Sequence, residues 1–146
     1  MNFILKNILI GCAAFAGISV VARIPILGWF GWLFALGVWV WLASRIVYSG
    51  KDKLLRSPNP SIPAMGWSAL VGFLSGFTGA LVSLILNMIV LAGASHTIQH
   101  NDMAAFTGLN ASFGALRDFA DLFIRSSFGA LICGIAGLIF GGKINR

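Results

Sequence analysis

The sequence predicts an all-α polytopic membrane protein: four transmembrane helices in two hairpins, plus one interfacial amphipathic helix before the last span. Three observations carry this reading. Of 146 residues, 58% are hydrophobic and only 10% are charged, against about a quarter charged in an ordinary soluble domain. The mean hydropathy of +0.92 leaves too little polar surface to face water on all sides. The apolar residues also fall into four long stretches, each close to or above the ~20 residues that a helix needs to cross the hydrocarbon. Residues 1–146 fit a single membrane domain. Such apolar content excludes intrinsic disorder, and two cysteines are too few for a disulfide scaffold.

The first span covers about 3–22, with Lys6 close enough to its end to snorkel. Arg23-Ile24-Pro25 then interrupts the run, and proline disfavours helix in the residue before it, so a tight hairpin is expected. The second span, about 26–47, is dense in rings: Trp29, Phe30, Trp32, Phe34, Trp39 and Trp41. Trp29 and Trp32 at one end, with Tyr48 and Trp67 at the other, fit interfacial belts. Trp39 and Trp41 lie deeper and point to opposite sides, so at least one is expected to face lipid or a partner. Residues 49–63, charged and then proline-rich, read as a loop.

The third span, about 64–94, lies in a stretch without Asp, Glu, Lys or Arg between Arg56 and Asp102. At 1.5 Å per residue, ~30 residues reach about 45 Å, so this helix must tilt, kink or project. Met103, Phe106, Leu109, Phe113, Leu116, Ala120 and Phe123 then recur at helical spacing. The segment 102–120 is therefore predicted to be an amphipathic helix on the membrane surface, capped by Asn101 or Asp102 and running into the fourth span, about 122–142.

Four spans place both termini and the middle loop on one side. Lys6, Arg45, Lys51, Lys53, Arg56, Lys143 and Arg146 fall there, against Arg23, Arg117 and Arg125 opposite. This excess predicts cytoplasmic termini, in a bacterial-type inner membrane. The net charge of +6 follows from that topology, and no nucleic-acid partner is expected. Leu9-Ile10-Gly11-Cys12 resembles a lipoprotein box, but the apolar run continues past Cys12, so neither lipidation nor cleavage is expected.

Small residues at every fourth position form the clearest pattern. Ser68, Gly72, Gly76 and Ala80 make one ladder in the third span, and Ser75, Gly79, Ser83 and Asn87 a neighbouring one. In the fourth span Gly129, Cys133, Gly137 and Gly141 repeat the device beside Ser126, Ala130 and Gly134. Such faces let helix backbones approach closely, either between spans three and four or between chains. Asn87 reads as an interhelical hydrogen-bonding group or as part of a polar pathway. Arg117, Asp121 and Arg125, four apart, read as an interfacial ion cluster or as an anion or proton site. His96 and His100 are weak metal candidates, since no third strong ligand shares their face.

No phosphate-binding loop, zinc-protease helix or nucleophile elbow occurs, and the first three spans hold no acid for proton coupling. The expected role is therefore non-catalytic and without a cofactor. The chain reads as an accessory or assembly subunit packed in the lipid bilayer against other membrane subunits or itself. A homo-oligomeric channel or small transporter is the alternative, and a holin-like or immunity-type protein the third reading.

Overall fold

In hydrocarbon every unpaired backbone N–H or C=O costs several kcal/mol, so an apolar chain that crosses a membrane resolves into helices. The computed structural model describes residues 3–22, 24, 30–97 and 104–144, with the side chains of 91–113, 115 and 118 outside the described set. The regular elements are α1 (Phe3–Val21), α2 (Gly31–Ser49), α3 (Lys51–Leu54), α4 (Ser61–Thr97) and α5 (Ala104–Lys143). No strand occurs among the described residues. Four of the helices are long and apolar enough to cross a membrane.

Several boundaries differ from the sequence expectation, each for a local reason. The segment 49–63 is not one loop. Gly50 closes α2 and opens the single turn α3, where its carbonyl accepts from Lys53 N and Leu54 N at 3.0 Å. Leu54 is fully buried and pins this turn to the bundle. Likewise α4 begins at Ser61, three residues earlier than expected, because the Pro60 carbonyl accepts from Ala64 N at 3.2 Å. Pro63 then occupies the first turn, where its missing N–H is one of the donors that has no intrahelical partner anyway. α2 starts at Gly31; Arg23 and Pro25 of the predicted hairpin lie outside the described set, as do residues 26–29 at the predicted start of the second span and the predicted cap at 101–102. The amphipathic segment and the fourth span belong to one uninterrupted helix, α5, of 40 residues.

α4 and α5 form an antiparallel hairpin in which Gly72 and Gly129 bring the two backbones into contact. α1 runs parallel to α4. Phe3 meets Trp67 edge-on with ring centroids 5.1 Å apart, and further along the Ser19 hydroxyl reaches the Gly79 carbonyl at 2.8 Å. α2 returns antiparallel to α1 and packs on α5, with Cys133 Sγ donating to the Trp39 carbonyl at 3.2 Å. The mid-bundle core is Phe15, Trp39, Leu42 and Cys133, and the Phe15 and Trp39 rings stack with centroids 5.0 Å apart. A second cluster of Val47, Leu54 and Ala64 closes the end where the termini lie.

The helix lengths do not match. α1 and α2 have 19 residues each, about 28 Å at 1.5 Å per residue, close to the ~30 Å hydrocarbon thickness. α4 has 37 residues and α5 has 40, about 55 and 60 Å. Since α1 ends two residues past Ser19, which is level with Gly79, the α4–α5 hairpin continues for about 20 Å beyond it. In that overhang Met88, Ile89 and Val90 are 61–64% exposed and Leu116 is 71% exposed.

These contacts separate two kinds of glycine. A Cβ at Gly72 or Gly129 would run into the opposite helix backbone, whereas nothing lies within 4 Å of one at Gly37 or Gly66. Gly72→Ala and Gly129→Ala should each destabilise the fold by about 1–3 kcal/mol through overpacking. Gly37→Ala and Gly66→Ala should be neutral or gain about 0.5–1 kcal/mol. Thermal unfolding of the detergent-solubilised protein, followed by helix circular dichroism, ranks the four.

Candidate functional site

Three places in the bundle concentrate the residues that the sequence singles out. The first is the seam between α4 and α5. Gly72 lies against Gly129, Gly76 against the Arg125 carbonyl, Ser68 and Ala64 against Gly137, and Ser61 and Ala64 against Gly141. Gly134 is more loosely seated, its nearest neighbour being Ala69 Cβ. Ala80 is buried and Ser83 half-buried. The neighbouring ladder turns a different way: Ser75 packs on Gly11, and Gly79 on Phe15, both of α1. The small faces of α4 therefore receive two helices of the same chain. The α1 half of this arrangement, in which Asn7, Gly11, Phe15 and Ser19 are buried, was not singled out from sequence. The signal was present as three small or polar residues in step with Phe15 at four-residue spacing.

Three hydroxyls of α4 and α5 bond back to their own helices. Ser126 donates to the Leu122 carbonyl at 2.6 Å, Ser75 to Gly72 at 3.1 Å and Thr78 to Leu74 at 2.8 Å. A hydroxyl that returns to its own helix is satisfied without water. Two buried polar atoms lack a partner among the described residues, Ser68 Oγ and Trp39 Nε1.

The second place is a cleft of about 520 Å³ between α1, α2 and α5, within the range of small-molecule sites. Phe15, Ile18, Trp32, Leu36, Trp39 and Phe128 form its apolar walls, and Arg125 is the one charged lining residue among the described residues. Arg125 Nε pairs with Asp121 Oδ2 at 2.7 Å, one helical turn away, and both side chains are partly exposed. Of the predicted Arg-Asp-Arg row this is the pair that forms; Arg117 is exposed and makes no ion pair with a described residue. Asp121 lies on the overhang side of Arg125, so the pair draws the guanidinium away from the hydrocarbon, and an exposed pair of this kind contributes at most about 1 kcal/mol.

The third place lies at the opposite end. Phe3, Lys6, Asn7, Arg45, Tyr48 and Ser49 surround a recess of about 310 Å³. Asn7 is buried there and bonds Arg45 and Ser49.

The remaining predicted residues do not converge on these places. Asn87 is half-buried and stands eight residues past Gly79, beyond the end of α1, so it is not deep within the four-helix layer. The greater length of α4 accounts for this. The side chains of His96 and His100 lie outside the described set, and no group of three metal-binding side chains occurs among the described residues. Cys12 and Cys133 are free.

Trp39 offers a direct test of the cleft wall. Its ring stacks on Phe15 while its N–H has no acceptor among the described residues, and an unsatisfied buried donor costs about 1–3 kcal/mol. Trp39→Phe keeps a ring and removes the orphan, so it should leave stability unchanged or raise it. Trp39→Ala should cost about 3–5 kcal/mol. Thermal unfolding of both variants against the parent decides whether the indole N–H is needed.

No protein-family model, no curated protein and no solved structure matches the chain. Four apolar helices of membrane-spanning length make it a small multi-pass integral membrane protein.

Proposed function

We propose that the protein is a non-catalytic accessory or assembly subunit of a membrane, its termini cytoplasmic in a bacterial-type inner membrane, that associates laterally with another membrane subunit or a second copy of itself. The observation that carries this reading is the overhang of α4 and α5. Met88, Ile89 and Val90 are consecutive, so together they sweep about 200° of the helix surface, and all three are more than 60% exposed. A helix that is apolar over so much of its circumference and extends past α1 and α2 leaves apolar area to be covered, at about 25 cal/mol per Å². Leu116 of α5 adds to the same surface.

The small-residue faces support the reading in a narrower way. Since α4 spends them on α5 and α1, the surface left for a partner is the overhang together with the lipid-facing sides. The basic end of the bundle, with Lys6, Arg45, Lys51, Lys53, Arg56 and Lys143, fits the cytoplasmic side. A channel built on Ser75, Asn87 and Arg125 has less support. Ser75 packs on α1 and Arg125 is paired at the cleft rim, so any path would have to run between copies.

Photo-cross-linking residues placed at Val90 and Leu116 should give discrete protein adducts in native membranes. The same residues at Val40 and Leu131, exposed within the four-helix layer, should give lipid adducts only. An overhang without protein adducts, in a protein that is also strictly monomeric in mild detergent, would overturn the reading.

A further inference from the structure

The recess at the terminal end is built around a buried amide. Asn7, 2% exposed, accepts from Arg45 Nε at 3.2 Å through its carbonyl oxygen. Its nitrogen lies 2.8 Å from the Phe3 carbonyl and 3.1 Å from Ser49 Oγ. Arg45 is held from a second side by Trp41, whose ring centroid is 5.3 Å from the guanidinium carbon. With Nε occupied and the plane braced, the two Nη groups keep four N–H donors that bond no described residue. Lys6 lines the same recess, and the Lys53 ammonium lies 5.0 Å from the centroid of the Phe3 ring that forms part of its wall. Among the described residues no carboxylate lines the recess. The nearest acid in sequence, Asp52 on the short α3, is exposed and makes no ion pair with a described residue.

Such an arrangement calls for an anion. A guanidinium fork recognises phosphate through two parallel N–H bonds, and a lysine beside it adds a mobile point charge. The depth selects the source. Tyr48, exposed at the end of α2, is a residue of the headgroup level, and the exposed apolar faces of α1 (Leu5, Leu9) descend from the recess into the bilayer. We propose that this recess binds the phosphodiester of an anionic phospholipid, held by Arg45 and Lys6, with the Tyr48 and Ser49 hydroxyls beside it and the acyl chains along α1.

The test uses the full chain in mild detergent, unfolding thermally at fixed ionic strength. The additives are phosphatidylglycerol, phosphatidylcholine with the same chains, or inorganic phosphate. Phosphatidylglycerol should raise Tm by several degrees more than phosphatidylcholine, and inorganic phosphate should not reproduce the rise. Lys6→Gln, at an exposed position with no bond to lose, should reduce the phosphatidylglycerol increment by about half or more. Arg45→Gln with Lys6→Gln should abolish it, while Lys143→Gln leaves it intact. Where Arg45→Gln fails to fold, the single Lys6→Gln variant decides. Equal increments from the two lipids, or a preference that survives Lys6→Gln undiminished, would overturn the proposal. A rise produced by inorganic phosphate alone would reassign the site to a free phosphate.

Discussion

The architecture depends on one close approach, the crossing of α4 and α5 at Gly72 and Gly129. Lipid tails solvate leucine as well as another leucine does, so apolar side chains alone supply little force to join helices in a membrane. Removing side chains at the crossing lets the backbones touch and adds dispersion contacts that lipid cannot match. Once this point is set, antiparallel geometry fixes the level of every other pair: Gly76 beside Arg125, Ala64 beside Gly137, Ser61 beside Gly141. α4 turns its other small face, Ser75 and Gly79, to α1, so the same helix seats two neighbours through two stripes.

The cleft follows from this division of labour. α1 and α5 are both drawn onto α4, and α2 fills the space between them with Trp39 on Phe15. The large ring closes the middle of the bundle. Above it, toward the overhang, the small residues Gly31 and Ala35 of α2 leave the space between the three helices open. The polar groups respect the same plan. Ser75, Thr78 and Ser126 return their hydroxyls to carbonyls of their own helices, and the charges stand at the two ends.

The ends differ in electrostatic character. At the overhang end Arg125 has an aspartate one turn away. At the terminal end Arg45 is held by a neutral amide and an indole ring, with lysines nearby and no carboxylate in the recess among the described residues. One cation is paired with an acid of its own helix, and the other is oriented with no acid partner among the described residues, a distinction that favours the terminal end for an external anion.

Composition and helical periodicity by themselves determined the class of fold, the four spans and the small-residue ladders, because these rest on a local rule: a backbone in hydrocarbon must satisfy its own hydrogen bonds. They also placed the Arg117-Asp121-Arg125 row on one helix face, since four-residue spacing is a property of the helix alone. Tertiary structure decided the rest. That Pro63 opens α4 depends on the Pro60 carbonyl finding Ala64, and that Leu54 anchors a helical turn depends on a pocket made by other segments. Asn7, Arg45 and Ser49 are separated by up to 42 residues and carry no motif. Only the antiparallel return of α2 along α1 brings them together, because the position of a side chain across a helix pair is set by packing and not by spacing within either helix.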